Sequence, residues 1–508
     1  MKTIVIGEAR LTIDELLSVV RDGCLIDISK EAEKKIQESR EVVERCVAEG
    51  RVVYGLTTGF GKFTDVTISE EDCFTLQENL IMSHSCGVGE PLPEEVVKAM
   101  MLLRINALSV GFSGVRVSTV KTLIDMLNKG VIPVVPSKGS LGASGDLAPL
   151  AHMCLVLLGM GEAVYKGERM PGGTAMKKAG IEPVKLTAKE GLALINGTQA
   201  MCAIGALAVA DSDIIMKTAE IISALSMESE NGVIDAMDER IHSIRLQPGQ
   251  MTTAENMRRL LEGSRYITHQ GEKRVQDAYV FRCIPQIHGA SRDSIEYVKG
   301  VITREINAVT DNPIVFAESY ESVSGGNFHG QYMAMSLDFL GIALAELANV
   351  SERRIERLIN PALSGLPAFL VKNGGLNSGM MIVQYTAAAL VSENKVLAHP
   401  ACVDSIPSSA NQEDHVSMGM TSARKAREIL NNTIDVLAIE LMCAAQAVEF
   451  QGSSGLSPAT AAAYNKVREH VPPLEHDRIL YTDINICSKL IRDGSILRAV
   501  EEKIGKLK

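Results

Sequence analysis

No Cys-x-x-Cys pair occurs in this sequence. Its ten cysteines stand singly, at positions 24, 46, 73, 86, 154, 202, 283, 402, 443 and 487, which excludes zinc-ribbon and thioredoxin-type sites. Isolated cysteines in a long chain are mostly small buried hydrophobes of a reducing compartment. His-Glu-x-x-His and acidic metal triads are also missing, so no metal site is expected. Nor is there an excess of positive charge: 51 Lys and Arg stand against 62 Asp and Glu, a net charge of −11. Nucleic acids and anionic membranes need a concentrated positive field, so neither is an expected partner. An anionic small molecule stays open, because one well-placed arginine can hold it. The opening residues, MKTIVIGEARLTIDEL, reach Glu8 before any long apolar run and lack a signal-peptide layout. The longest low-charge stretch, AMCAIGALAVA at 200–210, is too short to span a bilayer. The expected location is cytoplasmic.

Proline is missing from 184–247 and from 408–457, gaps that long helices require. In 333–347, Met333, Leu337, Leu340, Leu344 and Leu347 recur at spacings of four and three, a helical core stripe. Tryptophan is absent, and there is neither a fixed-period repeat nor a low-complexity linker. The chain opens with a short strand (TIVIG), a turn, and a helix capped at Thr12. These signs predict a bundle of long helices beyond Pro183, after a part over 1 to about 110 that mixes short helices with two glycine-rich segments. The polar segment 262–285 interrupts the helical pattern, and such excursions are either plain connections or functional ones.

Within GSLGASGDLAPLAH at 139–152, Ala143, Ser144 and Gly145 are three small residues followed by Asp146. One reading is helix capping, with Ser144 or Asp146 accepting from an exposed helix N–H and Pro149 in the first turn. The other is chemical. The Gly145 nitrogen can fold onto the Ala143 carbonyl, since glycine permits the backbone angles of a five-membered ring. Loss of water then gives an imidazolone, and loss of the serine hydroxyl gives an exocyclic methylidene. A Gly-x-Ser-x-Gly elbow is excluded because Asp146 stands where its second glycine belongs. The loop YGLTTGFGKF at 54–63 fails as a phosphate loop, because Phe63 follows Lys62. It presents Tyr54, either as a structural residue or as a base whose phenol, near ~10 in water, is lowered by positive dipoles. In VQDAYVFRCIP, a helix would put Gln276, Tyr279 and Arg282 on one face. Arg282 would then grip a carboxylate bidentately or form a surface ion pair. Glu413, Asp414 and His415 lie before a long helix, as capping acids or as a ligand's partners. Asn196 in INGTQ and Phe328 with His329 in SGGNFHG are uninformative singly.

Together, in this order, YGLTTGFG, SHSCGVG, GASGDLAPLAH, INGTQ, VQDAYVFRCIPQ, TDNP, GGNFHG, SERRIERLINP, NSGMMIVQYTAA and ANQEDHVSM resemble the aromatic amino acid lyase family over residues 3 to 500. The Ala-Ser-Gly segment is that family's marker. The resemblance implies that Ala143-Ser144-Gly145 cyclises to 4-methylidene-imidazol-5-one (MIO), with no external cofactor. It also implies a mainly α fold, with a globular N-terminal part over 1–110 and an elongated helical bundle over 111–508, and a homotetramer whose active sites are shared between chains. Within the family, the pair Ser83-His84 and Glu413 are most similar to members acting on L-histidine. A buried imidazole leaves two ring nitrogens to satisfy, at about 1–3 kcal/mol each, and His84 and Glu413 supply a partner for each. The implied reaction is elimination of ammonia from L-histidine to give trans-urocanate. The implied roles are Ser144 for the electrophilic carbon, Tyr54 for the base and Arg282 for the substrate carboxylate. Asn196 and Tyr279 orient the MIO carbonyl region and the amine, and Gln276 and Phe328 line the pocket. The rivals are an MIO aminomutase or a lyase of another aromatic amino acid, a fumarase-like lyase using the serine loop at 404–411, and an inactive helical scaffold.

Overall fold

A computed structural model describes residues 2–51, 58 and 70–508, with the side chains of 70–73 left aside. Among these residues helices dominate and every strand is short. Two compact units emerge, both discontinuous: residues 1–207, 299–338 and 400–424 form the first, and 208–298, 339–399 and 425–508 the second.

The first unit opens with β1 (Thr3–Ile6), which pairs in parallel with β2 (Leu25–Ile28) across α1 (Ile13–Val20). The start of α1 is set by a capping box. Glu15 N donates to Thr12 Oγ1 at 3.2 Å, and Thr12 N donates to Glu15 Oε2 at 2.9 Å. Next come α2 (Lys30–Ala48), α3 (Glu70–His84), β3 (Val88–Pro91), α4 (Glu94–Ser109), α5 (Val117–Lys129), β4 (Val131–Pro133) and β5 (Pro136–Lys138). Then follow α6 (Leu147–Leu157), the hairpin β6 (Glu162–Tyr165) and β7 (Glu168–Pro171), α7 (Gly172–Lys178) and α8 (Glu190–Ile195). Two more strands, β8 (Ile314–Phe316) and β9 (Glu321–Val323), complete the unit's sheets. α4 is buried all round from Val96 onward, apart from Lys98, as a central helix must be. The boundary expected at residue 110 falls between α4 and α5, which pack on each other inside this unit. α3 packs on both α6 and α8, and these two also touch. The segment entering α6 and the turn leaving α8 are joined by backbone hydrogen bonds.

α9 (Gln199–Ser229) runs through both units' residue lists. The second unit also holds α10 (Glu239–Ser243), α11 (Pro248–Leu261), α12 (Tyr279–Arg282) and most of α13 (Ile284–Glu305) and α14 (Gln331–Ile359). It continues with α15 (Pro361–Ser364), α16 (Met381–Leu397), most of α17 (Gly419–Val448), α18 (Pro458–Arg468), α19 (Tyr481–Arg492) and α20 (Ser495–Ile504). All five stripe residues from Met333 to Leu347 are fully buried in α14. By length and composition α9 and α14 are long enough to cross a bilayer, which the stretch 200–210 alone did not suggest. Their apolar windows are 83% and 67% buried within the protein, which makes them core helices.

Candidate active site

The segment 139–146 enters α6 through tight turns, with Gly142 at φ 73° and Gly145 at φ 75°. Gly145 lies against Gly197, the turn between α8 and α9. Asp146 N donates to Gly197 O at 2.7 Å, and Gly197 N to Ser144 O at 3.4 Å. A Cβ on Gly145 would collide with the Gly197 backbone, so this close approach requires glycine. The result is a backbone bridge whose two bonds lie on either side of Gly145.

A second segment aligns on the other side. Met418 N donates to Leu141 O at 3.0 Å, and Ser417 Oγ to Gly142 O at 3.2 Å. This pairing carries Glu413 to the tripeptide, where the Ser144 hydroxyl donates to Glu413 Oε1 at 3.2 Å. The other carboxylate oxygen accepts from Ser408 Oγ at 2.9 Å, while the backbones of Ser408 and Glu413 exchange hydrogen bonds. Ser408 belongs to the serine loop that the fumarase-like reading singled out, and here it anchors the carboxylate. His84, at the end of α3, is within electrostatic reach of Glu413. Burial pushes its imidazole below the usual histidine value, against smaller upward pulls from a backbone bond at Leu80 and from Glu413. Its Nδ1 meets Ser83 Oγ at 3.1 Å. The loop after His84 is tied to α6, because Gly87 N donates to His152 Nε2 at 3.0 Å.

Asp146 corrects the capping expectation. It stands at the N-cap position of α6, yet its side chain makes no bond to that helix. Its carboxylate accepts instead from Met201 N in the first turn of α9, at 2.8 Å, and from Ser140 Oγ at 3.0 Å. The donors at the start of α9 compete for the same acceptor, and Ser144 is already directed to Glu413. Burial raises the Asp146 carboxyl to about 6.

Asn196 is the C-cap of α8, with its Nδ2 donating to Asn312 O at 3.1 Å. Its Oδ1 is buried without a partner among the described residues. Phe328 is half-buried in the loop before α14. The next residue, His329, lies 5.7 Å from the His415 ring, centroid to centroid, so this loop borders the Glu413 segment. Tyr54 lies outside the described residues.

The remaining three candidates are in the second unit. The helix there is the single turn α12, so Gln276 precedes it and the one-face geometry inferred from spacing does not apply. The cluster forms all the same: Arg282 Nη1 donates to Gln276 Oε1 at 2.9 Å, and the guanidinium lies 4.4 Å from the centre of the Tyr279 ring. Arg282 Nε is buried without a partner among the described residues, and Tyr279 is 67% exposed.

Residues 11–469 match the model of the aromatic amino acid lyase family. The chain belongs to that family. It is 60% identical over 504 residues to a histidine ammonia-lyase of Alkaliphilus oremlandii, covering 99% of both chains. Its fold is similar to that of a histidine ammonia-lyase from Trypanosoma cruzi, at TM-score 0.92 and 44% identity, covering 99% of this chain and 96% of the other. It is also similar to a tyrosine aminomutase from Streptomyces globisporus, at TM-score 0.96 and 38% identity, covering both chains fully.

Within this lyase fold, residue chemistry alone passed over Gly197, Ser417 and His152, and met Ser408 only as part of a loop given another role. Gly197 carried a signal, a glycine directly after a polar residue between two helical runs. Ser408 lies in the serine loop at 404–411 and Ser417 in the segment ANQEDHVSM, but nothing local ties them to positions 142 or 413.

Proposed function

We propose that this chain is a carbon–nitrogen lyase of the cytoplasm that eliminates ammonia from L-histidine to give trans-urocanate. The observation that carries the reading is the bond from Ser144 to Glu413, with His84 in electrostatic reach of the same carboxylate. A fixed carboxylate and an imidazole kept neutral by burial offer an acceptor and a second polar contact to a substrate ring bearing two nitrogens. A phenyl ring would leave both unpaired.

The residues fit the ring that the family forms from Ala-Ser-Gly. Gly145 is in the left-handed region, its contact surface is the bare backbone of Gly197, and Asn196 Oδ1 is left buried and unpartnered among the described residues. When formed, that group would supply an electrophilic carbon that activates the substrate for loss of its amine, whether the amine or the imidazole ring meets it. Glu413 and His84 hold the imidazole side chain. Arg282 takes the substrate carboxylate, with Gln276 and Tyr279 fixing the guanidinium. Tyr54 removes the β-proton, Asn196 orients the reacting end, and Phe328 closes the pocket wall. The active form is a homotetramer with sites shared between chains. Supporting this, α16 leaves Ile382, Tyr385 and Val396 55%, 61% and 69% exposed, apolar surface of the kind that association between chains covers.

The test is twofold. Incubation with L-histidine should produce the absorbance of urocanate with stoichiometric ammonia. The proteolytic peptide holding residues 143–145 should lack two molecules of water. A β-amino acid without urocanate would favour the aminomutase reading, to which the similarity with the Streptomyces enzyme's fold gives weight. An unmodified peptide in active protein would refute the electrophile.

A further inference from the structure

Beneath the Asn196-Gly197 turn lies a buried guanidinium that no step above uses. α8 is a single short helix of six residues, and its terminal carbonyls need donors from elsewhere. Arg104 of α4, fully buried, supplies them: Nη1 donates to Ala193 O and Nη2 to Asn196 O, both at 3.0 Å, and Nη2 also to Gln199 Oε1. Gln199 Nε2 in turn donates to Thr310 Oγ1 at 2.9 Å. The turn rests directly on this layer. A Cβ at Gly197 would lie 2.9 Å from Arg104 Nη2 and 2.6 Å from both Gln199 Oε1 and Thr310 Oγ1. Above it, Gly197 O holds Asp146 N, and Gly197 N reaches Ser144 O. The stack therefore runs from Arg104 through Gly197 to the backbone on both sides of Gly145.

We infer that Arg104 is a positioning residue for ring closure: by fixing the Asn196-Gly197 turn it holds the Gly145 nitrogen in the conformation that meets the Ala143 carbonyl. This rests on the proposed function, since it concerns how that electrophile is made. The bond formed joins Gly145 N to the Ala143 carbonyl carbon. The carbonyl oxygen departs as water with the proton from Gly145 N and the proton from Ser144 N. The Ser144 hydroxyl departs as a second water with the Ser144 Cα proton. No oxidant or external reactant is needed. A hydrogen-bonded turn that drifts by a fraction of an ångström costs reaction rate rather than fold, because ring closure depends on near-attack geometry.

The test follows cyclisation itself, not turnover. Wild type, Arg104→Lys, Arg104→Met, Arg104→Ala and Thr310→Val are synthesised, sampled over time, digested, and the peptide with residues 143–145 weighed. Thermal unfolding is recorded in parallel. Arg104→Met is expected to cyclise at least roughly tenfold more slowly, the rate equivalent of one lost buried hydrogen bond. Arg104→Lys should fall between it and wild type, and Thr310→Val should be slowed a few-fold. Guanidinium added at non-denaturing concentration to Arg104→Ala should restore part of the rate. A purely structural arginine would lower the unfolding temperature but leave every folded molecule cyclised at the wild-type rate, and that result overturns the inference. If Arg104→Met yields no folded protein, wild-type rates in both Arg104→Lys and Thr310→Val overturn it equally. A wild-type peptide that never loses water removes the proposed electrophile instead, a different failure visible before any variant is made.

Discussion

The Ser144 hydroxyl donates to Glu413 at 3.2 Å although 269 positions separate the two residues. Ser408 donates to the same carboxylate from the opposite side, so Glu413 is held as an acceptor at both oxygens. Ring closure removes the Ser144 hydroxyl and frees that oxygen to accept from a substrate ring N–H, whereas a glutamine that accepts from Ser408 turns its amide donors toward the ring. Glu413→Gln is therefore expected to lower kcat/KM for L-histidine by about 10- to 100-fold, the range for a hydrogen bond to a charged group. Adding His84→Leu should deepen the loss. The measurement is urocanate formation per cyclised site. An unchanged kcat/KM in the double variant would remove both residues from ring recognition.

Gly197 has a different kind of constraint. Its φ of 143° and its three polar neighbours within 2.9 Å leave no room for a methyl group. Gly197→Ala is expected to give mostly unfolded or uncyclised protein. Gly130, which ends α5 at φ 72° with nothing within 4 Å of the missing Cβ, is the matched control. Gly130→Ala should cost only the left-handed backbone strain, about 1–2 kcal/mol. Denaturant midpoints of the two variants decide the matter, and equal midpoints would mean that the packing beneath Gly197 yields easily.

What the sequence made readable was the local part of this architecture. Thr12 and Glu15 carry their own start signal within four residues, and the α14 stripe repeats on one face. Asp146 was misread for the same reason. A carboxylate before a helix looks like that helix's cap, whereas its donor, Met201, lies on another helix. The Gln276, Tyr279 and Arg282 cluster forms, but through a turn and a single helical turn rather than a continuous face. Glu413 beside Ser144 depends on the backbone pairing of 141–142 with 417–418. Residue chemistry could not foresee that pairing, and only the family resemblance put the two residues in one site.

In the second unit, Arg354 and Glu440 form a fully buried bidentate pair, at 2.6 and 2.9 Å. Ser226 Oγ adds a donor to Glu440 at 2.8 Å, and Arg354 Nη1 lies 3.4 Å from His288 Nε2. Burial holds His288 well below the usual histidine value, with Arg354 and Arg292 adding to the effect, so a neutral ring accepts there. Removing one charge strands the other in the interior. Arg354→Met is expected to destabilise by about 3–5 kcal/mol, and the double replacement Arg354→Met with Glu440→Leu to recover most of it. A double-mutant cycle in chemical denaturation measures this. Additive losses would mean that the pair is not coupled.

Asp146 gives a pH signature with a definite sign. Its carboxyl is raised by burial from the ordinary 3.8 to about 6 in the folded chain. Between those values the folded state holds more protons than the unfolded one, so its contribution is fully present below about 3.9 and is lost as pH rises through 6. The total is roughly 3 kcal/mol, from about two units at 1.36 kcal/mol each. Asn at this position keeps an acceptor for Met201 N, and the Ser140 hydroxyl can rotate to accept from the amide. Asp146→Asn should therefore be no more stable than wild type near pH 4 and gain on it progressively up to pH 7. Thermal unfolding of both proteins across that range isolates the residue, because every other titrating group is common to the two curves. Parallel curves would mean that the carboxylate enters the folded chain already ionised, satisfied by Met201 N and Ser140 Oγ despite its burial.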